Sequence, residues 1–86
     1  MNSLNSLVYP LSTEKALNMI DRNNTICYIV DFRSNKAEIK REFEETFGVK
    51  IASINTEITM KNTKRAYIRL KPEFKAADVA RKLKLV

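Results

Sequence analysis

Histidine is absent, and the 86 residues hold one glycine, one cysteine and two prolines. Without histidine the chain lacks the commonest general base and the commonest metal ligand. The single glycine, Gly48, excludes a glycine-rich loop wrapped around a phosphate. The single cysteine, Cys27, cannot close an internal disulfide, and no second thiol stands at metal-ligand spacing. It lies in an apolar run and reads as a small buried hydrophobe; a reducing cytoplasm suits it. No apolar run approaches the ~20 residues that span a bilayer. Met1 to Leu7 carry neither basic side chains nor a long apolar stretch, so no signal peptide is expected there. These absences argue against an enzyme, a metal site and a bound cofactor.

What remains is basic and moderately apolar. Residues 1–86 are expected to form one domain, with 1–6 loose, because a chain of this size buries roughly 60–70% of its surface on folding. Sixteen Lys and Arg face ten Asp and Glu, for a net charge of +6. The resulting pI is about 9.7. A domain pI above about 9 is one mark of a nucleic-acid partner. Charge alone speaks only to non-specific attraction.

The hydropathy pattern gives seven elements in the order β-α-β-α-β-β-α, an α+β chain with a mostly antiparallel four-stranded sheet. Leu7–Leu11 reads as an edge strand, where Pro10 is tolerated. Ser12 or Thr13 caps a helix with Ala16, Leu17 and Ile20 inward, and Asp21–Asn24 follows as a polar turn. Thr25–Phe32 is apolar on both sides, as in an interior strand, with Phe32 on the face of Ile26, Tyr28 and Val30. Asn35 and Glu38 resemble a capping box. The helix they open buries Ile39, Phe43 and Phe47 and closes at Gly48. Val49–Met60 is a strand whose phase slips at Ala52 and Ser53, as a bulge would cause. A turn at Lys61–Thr63 leads to the strand Lys64–Lys71, which Pro72 ends. Phe74–Leu85 is a last helix with Ala76, Val79, Ala80 and Leu83 inward.

The hairpin is the most informative part. Pairing Met60 with Lys64 sets Ile58 opposite Ala66, Thr56 opposite Ile68 and Ile54 opposite Leu70. The other face then gathers Arg65, Tyr67, Arg69 and Lys71 with Ser53, Asn55, Glu57 and Thr59. Cations on such a face suit phosphate oxygens, and Tyr67 offers a ring or a hydroxyl. Lys61 and Lys64 at the turn extend the patch. A solvated face would look the same, with Glu57 softening its charge. Lys36 and Lys40, one helical turn apart after Arg33, form a second basic patch. Lys40–Glu44 and Arg41–Glu45 read as surface pairs worth only ~0.3–0.5 kcal/mol.

Four segments in series resemble a known family. Val8-Tyr9-Pro10-Leu11-Ser12-Thr13-Glu14-Lys15-Ala16 is similar to the opening of ribosomal protein L23. Asn35-Lys36-Ala37-Glu38-Ile39-Lys40, with Phe47-Gly48-Val49-Lys50, is similar to its middle helix and exit. Ile54-Asn55-Thr56 resembles its Val-Asn-Thr strand, and Lys64-Arg65-Ala66-Tyr67-Ile68-Arg69-Leu70 its most recognisable strand. The resemblance implies a small α/β sandwich and a structural, non-catalytic part of the large ribosomal subunit, in the cytoplasm. It implies rRNA binding beside the exit of the peptide tunnel, next to neighbouring large-subunit proteins. Family positions that meet rRNA fall on Lys36, Lys40, Asn55, Thr56, Lys64, Arg65, Tyr67 and Arg69; Lys61 and Lys71 join them from the strand reading. Glu14, with Lys15, falls where members receive the signal recognition particle or other tunnel-exit factors. Bacterial members carry a long hairpin loop into the tunnel. Here that loop is only Lys61–Thr63, so the resemblance is to the archaeal type.

Two other readings compete. A free-standing RNA-binding module fits the basic strand, although the glycine and aromatic trio of an RNA-recognition motif are missing. A small hydrolase of acylphosphatase size would need a glycine-rich phosphate loop, for which this chain has no glycine.

Overall fold

A computed structural model describes residues 6–85. Its elements are β1 (Leu7–Pro10), α1 (Glu14–Asn23), β2 (Thr25–Val30), α2 (Lys36–Phe47), β3 (Ile51–Ile58), β4 (Lys64–Leu70) and α3 (Ala76–Lys82). The four strands form one antiparallel sheet in the order β1-β2-β4-β3. The expected element order and fold class are what the chain adopts. Residues 1–5 of the segment expected to be loose lie outside the described residues. Ser6 does not fit that expectation: it is 2% exposed. Its N–H donates to Glu42 Oε1 at 2.7 Å, and its carbonyl accepts from Asp31 N.

Helices α1 and α2 begin and end for local reasons. Thr13 caps α1, its Oγ1 accepting from the Ala16 N–H at 3.2 Å. The capping box at α2 is complete: Asn35 Oδ1 accepts from Glu38 N, and Glu38 Oε1 accepts from Asn35 N. Gly48 closes α2 at φ 65, in the left-handed region where a Cβ is strained. Helix α1 runs through the expected polar turn to Asn23, and Asn24 closes it at φ 53. Asparagine tolerates that conformation better than other residues with a Cβ.

The main core lies between the sheet and the helices α2 and α3. Ile26, Tyr28 and Val30 of β2 and Ala66, Ile68 and Leu70 of β4 meet Ile39 and Phe43 of α2 and Ala76, Val79 and Ala80 of α3. Phe43 stacks edge-on against Tyr28, their ring centroids 6.2 Å apart. All six β2 residues are buried, as an interior strand requires. Phe32 departs from expectation. The strand ends at Val30, the chain turns at Asp31–Arg33, and Phe32 is 50% exposed.

On the opposite side of the sheet, Ala16 and Met19 of α1 flank Cys27, Arg65 and Tyr67 around a cavity of about 20 Å³. Leu17 and Ile20 reach the main core, and α1 also touches α3.

Candidate nucleic-acid interface

The β3–β4 hairpin has the expected faces but not the expected register. Ile58 pairs with Lys64, Thr56 with Ala66, and Ile54 with Ile68. Every pair is two residues away from the anticipated one. An even slip leaves each side chain on its own face, which is why the pattern could not distinguish the two registers. The turn decides it. Thr59 N donates to Thr63 O at 2.9 Å, and Asn62 N donates to Thr59 O at 3.0 Å. The loop is therefore Met60–Asn62, with Asn62 left-handed at φ 60. Three-residue hairpins commonly end on such a residue. The Thr59 and Thr63 hydroxyls, 2.6 Å apart, close it. At the other end the pairing shifts between Ile51 and Ser53, the bulge expected at Ala52.

Tertiary packing divides the anticipated basic face. Arg69 is exposed, and so is Lys71 beyond the strand end. Arg65 and Tyr67 are half-buried beside α1. The Arg65 Nε is shut off from solvent and has no hydrogen-bond partner. The Tyr67 hydroxyl donates to Glu57 Oε1 at 2.8 Å, and burial followed by that carboxylate pushes its pKa up. Asn55, opposite Tyr67, is exposed. Thr56 pairs with Ala66 on the core side and is half-buried. Lys64 also points away from the basic face: its Nζ donates to the Ser34 carbonyl at 2.6 Å. Lys61 is exposed at the hairpin tip.

Two shallow grooves meet at the bulge. One, of about 300 Å³, runs between α2 and β3, with Lys36 and Lys40 beside Ile51–Ile54. The other, of about 590 Å³, lies where the end of α1 faces β3 and β4, with Arg22 and Arg69. Ala52 and Ser53 line both. Arg22 was not anticipated as a site residue, because nothing in the sequence brings the end of α1 beside Arg69. Lys50 was missed as well. It is exposed, and its carbonyl accepts from Lys71 N at 3.0 Å. Glu14 and Lys15 are exposed in the first turn of α1.

Several carboxylates are used elsewhere. Among the described residues only Arg33–Asp31 and Arg81–Asp78 form ion pairs. The expected Lys40–Glu44 and Arg41–Glu45 pairs are not among them. Glu44 instead accepts the Ile51 N–H at 2.9 Å. Glu42 accepts from Ser6 and Leu7, Glu38 from Asn35, and Glu57 from Tyr67. Backbone and hydroxyl donors thus occupy carboxylate oxygens that would otherwise pair directly with surface cations.

The sequence model of ribosomal protein L23 matches residues 5–82. The chain belongs to the ribosomal protein L23 family. The large ribosomal subunit protein uL23 of Trypanosoma brucei brucei is 46% identical over 78 residues, which is 91% of this chain and 48% of that protein. The chain spans about half the length of this curated relative. The four sequence segments that suggested L23 lie on β1 and the start of α1, on α2 with its exit, on β3 and on β4. Among the described residues no helix is long and apolar enough to cross a membrane.

Proposed function

We propose that this L23-family chain is a structural constituent of the large ribosomal subunit that binds rRNA near the tunnel exit and catalyses nothing. Family membership carries the reading. The surface supports its mechanism, since exposed cations without carboxylate partners are what phosphate neutralisation needs. Exposed Lys36, Lys40, Asn55, Lys61, Arg69 and Lys71 are the accessible members of the predicted set. Arg65, Tyr67, Lys64 and Thr56 are half-buried and contribute only at their rims, with Lys64 and Tyr67 also bonded to Ser34 and Glu57. The three-residue loop Met60–Asn62 favours a short-looped, archaeal-type member over the bacterial form. Glu14 and Lys15 offer an exposed acidic and basic pair to the signal recognition particle or another tunnel-exit factor. The place of work is then the cytoplasmic ribosome, beside neighbouring large-subunit proteins.

Co-sedimentation with large subunits through a high-salt wash tests assembly. Binding to a large-subunit rRNA fragment tests the mechanism. The affinity should fall with a log–log salt slope of about −0.7 to −0.9 per neutralised phosphate. A salt-independent affinity refutes phosphate neutralisation. Glu14→Lys subunits should bind the signal recognition particle more weakly; unchanged binding removes Glu14 from the docking surface. A free-standing RNA-binding module would bind RNA yet fail to sediment with large subunits.

A further inference from the structure

The bulge at Ala52 stands on an edge strand, so among the described residues no further strand separates the two grooves that meet there. Lys36 and Lys40 line one side, and Arg22 and Arg69 line the other. Among the described residues Asp21 is the only acid lining either groove. The residues between are Ala52 and Ser53, both small and exposed, so a bulky chain can approach the backbone closely. Taking the RNA-binding reading as its basis, we propose that one RNA strand crosses the sheet edge at this bulge. Its phosphates are held by Lys36 and Lys40 on the α2 side and by Arg22 and Arg69 on the α1 side.

Three physical arguments select this occupant. A bulge interrupts the regular ladder, so the edge is a poor template for an added peptide strand. Cations on both sides suit a continuous polyanion that passes from one groove to the other. The two grooves share Ala52 and Ser53 and turn around the sheet edge there, a path that a flexible single strand follows more closely than a stiff duplex. Ser53 and Asn55 there present a hydroxyl and an amide to phosphate oxygens or the 2′-hydroxyl. The middle of β4 is the weaker seat, since the Arg65 Nε is enclosed and the Tyr67 hydroxyl is bonded to Glu57.

The test is fluorescence anisotropy with a labelled large-subunit rRNA fragment at several salt concentrations. Lys40→Ala and Arg69→Ala each remove one cation from one side. Lys82→Ala on α3, which lines neither groove, makes the same charge change elsewhere. Lys40→Ala and Arg69→Ala should each raise Kd several-fold and reduce the salt slope by ~0.7–0.9. Ser53→Glu, which puts a negative charge where both grooves meet, should weaken binding by about tenfold or more. Lys82→Ala should leave Kd within about twofold. Thermal melting of each variant shows that the fold is kept. If the wild-type chain binds no large-subunit rRNA, both this proposal and the RNA-binding reading fall. If it binds but the groove variants behave like Lys82→Ala, only the proposed path falls. Equal binding of polyglutamate, lost in the same variants, overturns RNA in favour of an acidic protein partner.

Discussion

Replacing Asn24 tests how the two ends of the chain are joined. Asn24 closes α1 in the left-handed region at φ 53. Its Oδ1 accepts the Ala76 N–H at 2.7 Å, and its Nδ2 donates to the Phe74 carbonyl at 2.8 Å and the Leu70 carbonyl at 3.3 Å. Lys75, at the N-cap of α3, makes no side-chain cap bond, so Asn24 caps that helix from 52 residues away. Asn24→Ala removes the cap, which costs about 1 kcal/mol. It also removes the bond to Phe74, for about another 1 kcal/mol. Alanine is less suited than asparagine to the left-handed region, which adds about 1 kcal/mol. The sum is about 3 kcal/mol, or roughly 3 M in the urea midpoint at an m-value of about 1 kcal/mol/M. Asn24→Gly relieves the backbone but not the lost bonds and should cost about 2 kcal/mol. Asn24→Asp keeps the cap oxygen but sets a carboxylate oxygen against the Phe74 and Leu70 carbonyls, so it should cost more than the ~1 kcal/mol of the lost amide bond alone. Urea unfolding followed by circular dichroism gives all three values. A loss below about 0.5 kcal/mol for alanine, or a glycine variant no better than alanine, refutes the reasoning.

Three further perturbations have definite outcomes. Gly48→Ala should cost about 1 kcal/mol from backbone strain alone, because a Cβ there meets nothing within 4 Å; a loss above about 3 kcal/mol in urea unfolding would mean a hidden clash. Phe43→Ala, which empties the centre of the core beside Tyr28, should cost about 3–5 kcal/mol, and a calorimetric loss under about 1 kcal/mol would show that the core collapses to fill the space. Burial pushes the Cys27 thiol up from its ordinary value. Its contribution to stability is therefore complete below the ordinary thiol pKa and lost as pH rises through the raised one. Tyr28 and Tyr67 are pushed up too and act in the same direction. Stability should fall as pH rises above about 9, less steeply in Cys27→Ala; an identical slope in that variant would remove Cys27 from the account.

Local signals were legible in the sequence wherever the physics is local. The capping box of Asn35 and Glu38, the closure at Gly48 and the bulge at Ala52 each need only neighbouring residues. The two faces of β3 and β4 were legible because side chains alternate along a strand. The hairpin register was not, since a slip of two residues preserves that alternation, and the Thr59–Thr63 closure settles it. Phe32 was placed on the core face by periodicity, which does not show where a strand stops.

The basic surface divides in the same way. An excess of cations, the absence of histidine and the kinship with L23 follow from residue identities and their order alone. Which cations are accessible is a property of the folded chain. Arg65 and Arg69 are four residues apart on one face of one strand, yet α1 flanks the first and leaves the second exposed. Arg22 comes beside Arg69 only because α1 ends at that corner of the sheet. Glu42 and Glu44 turn their oxygens to distant backbone N–H groups and not to surface cations, which only the folded chain decides. Periodicity assigns a side chain to a face. What covers that face comes from elements far along the chain, and only their packing together decides it.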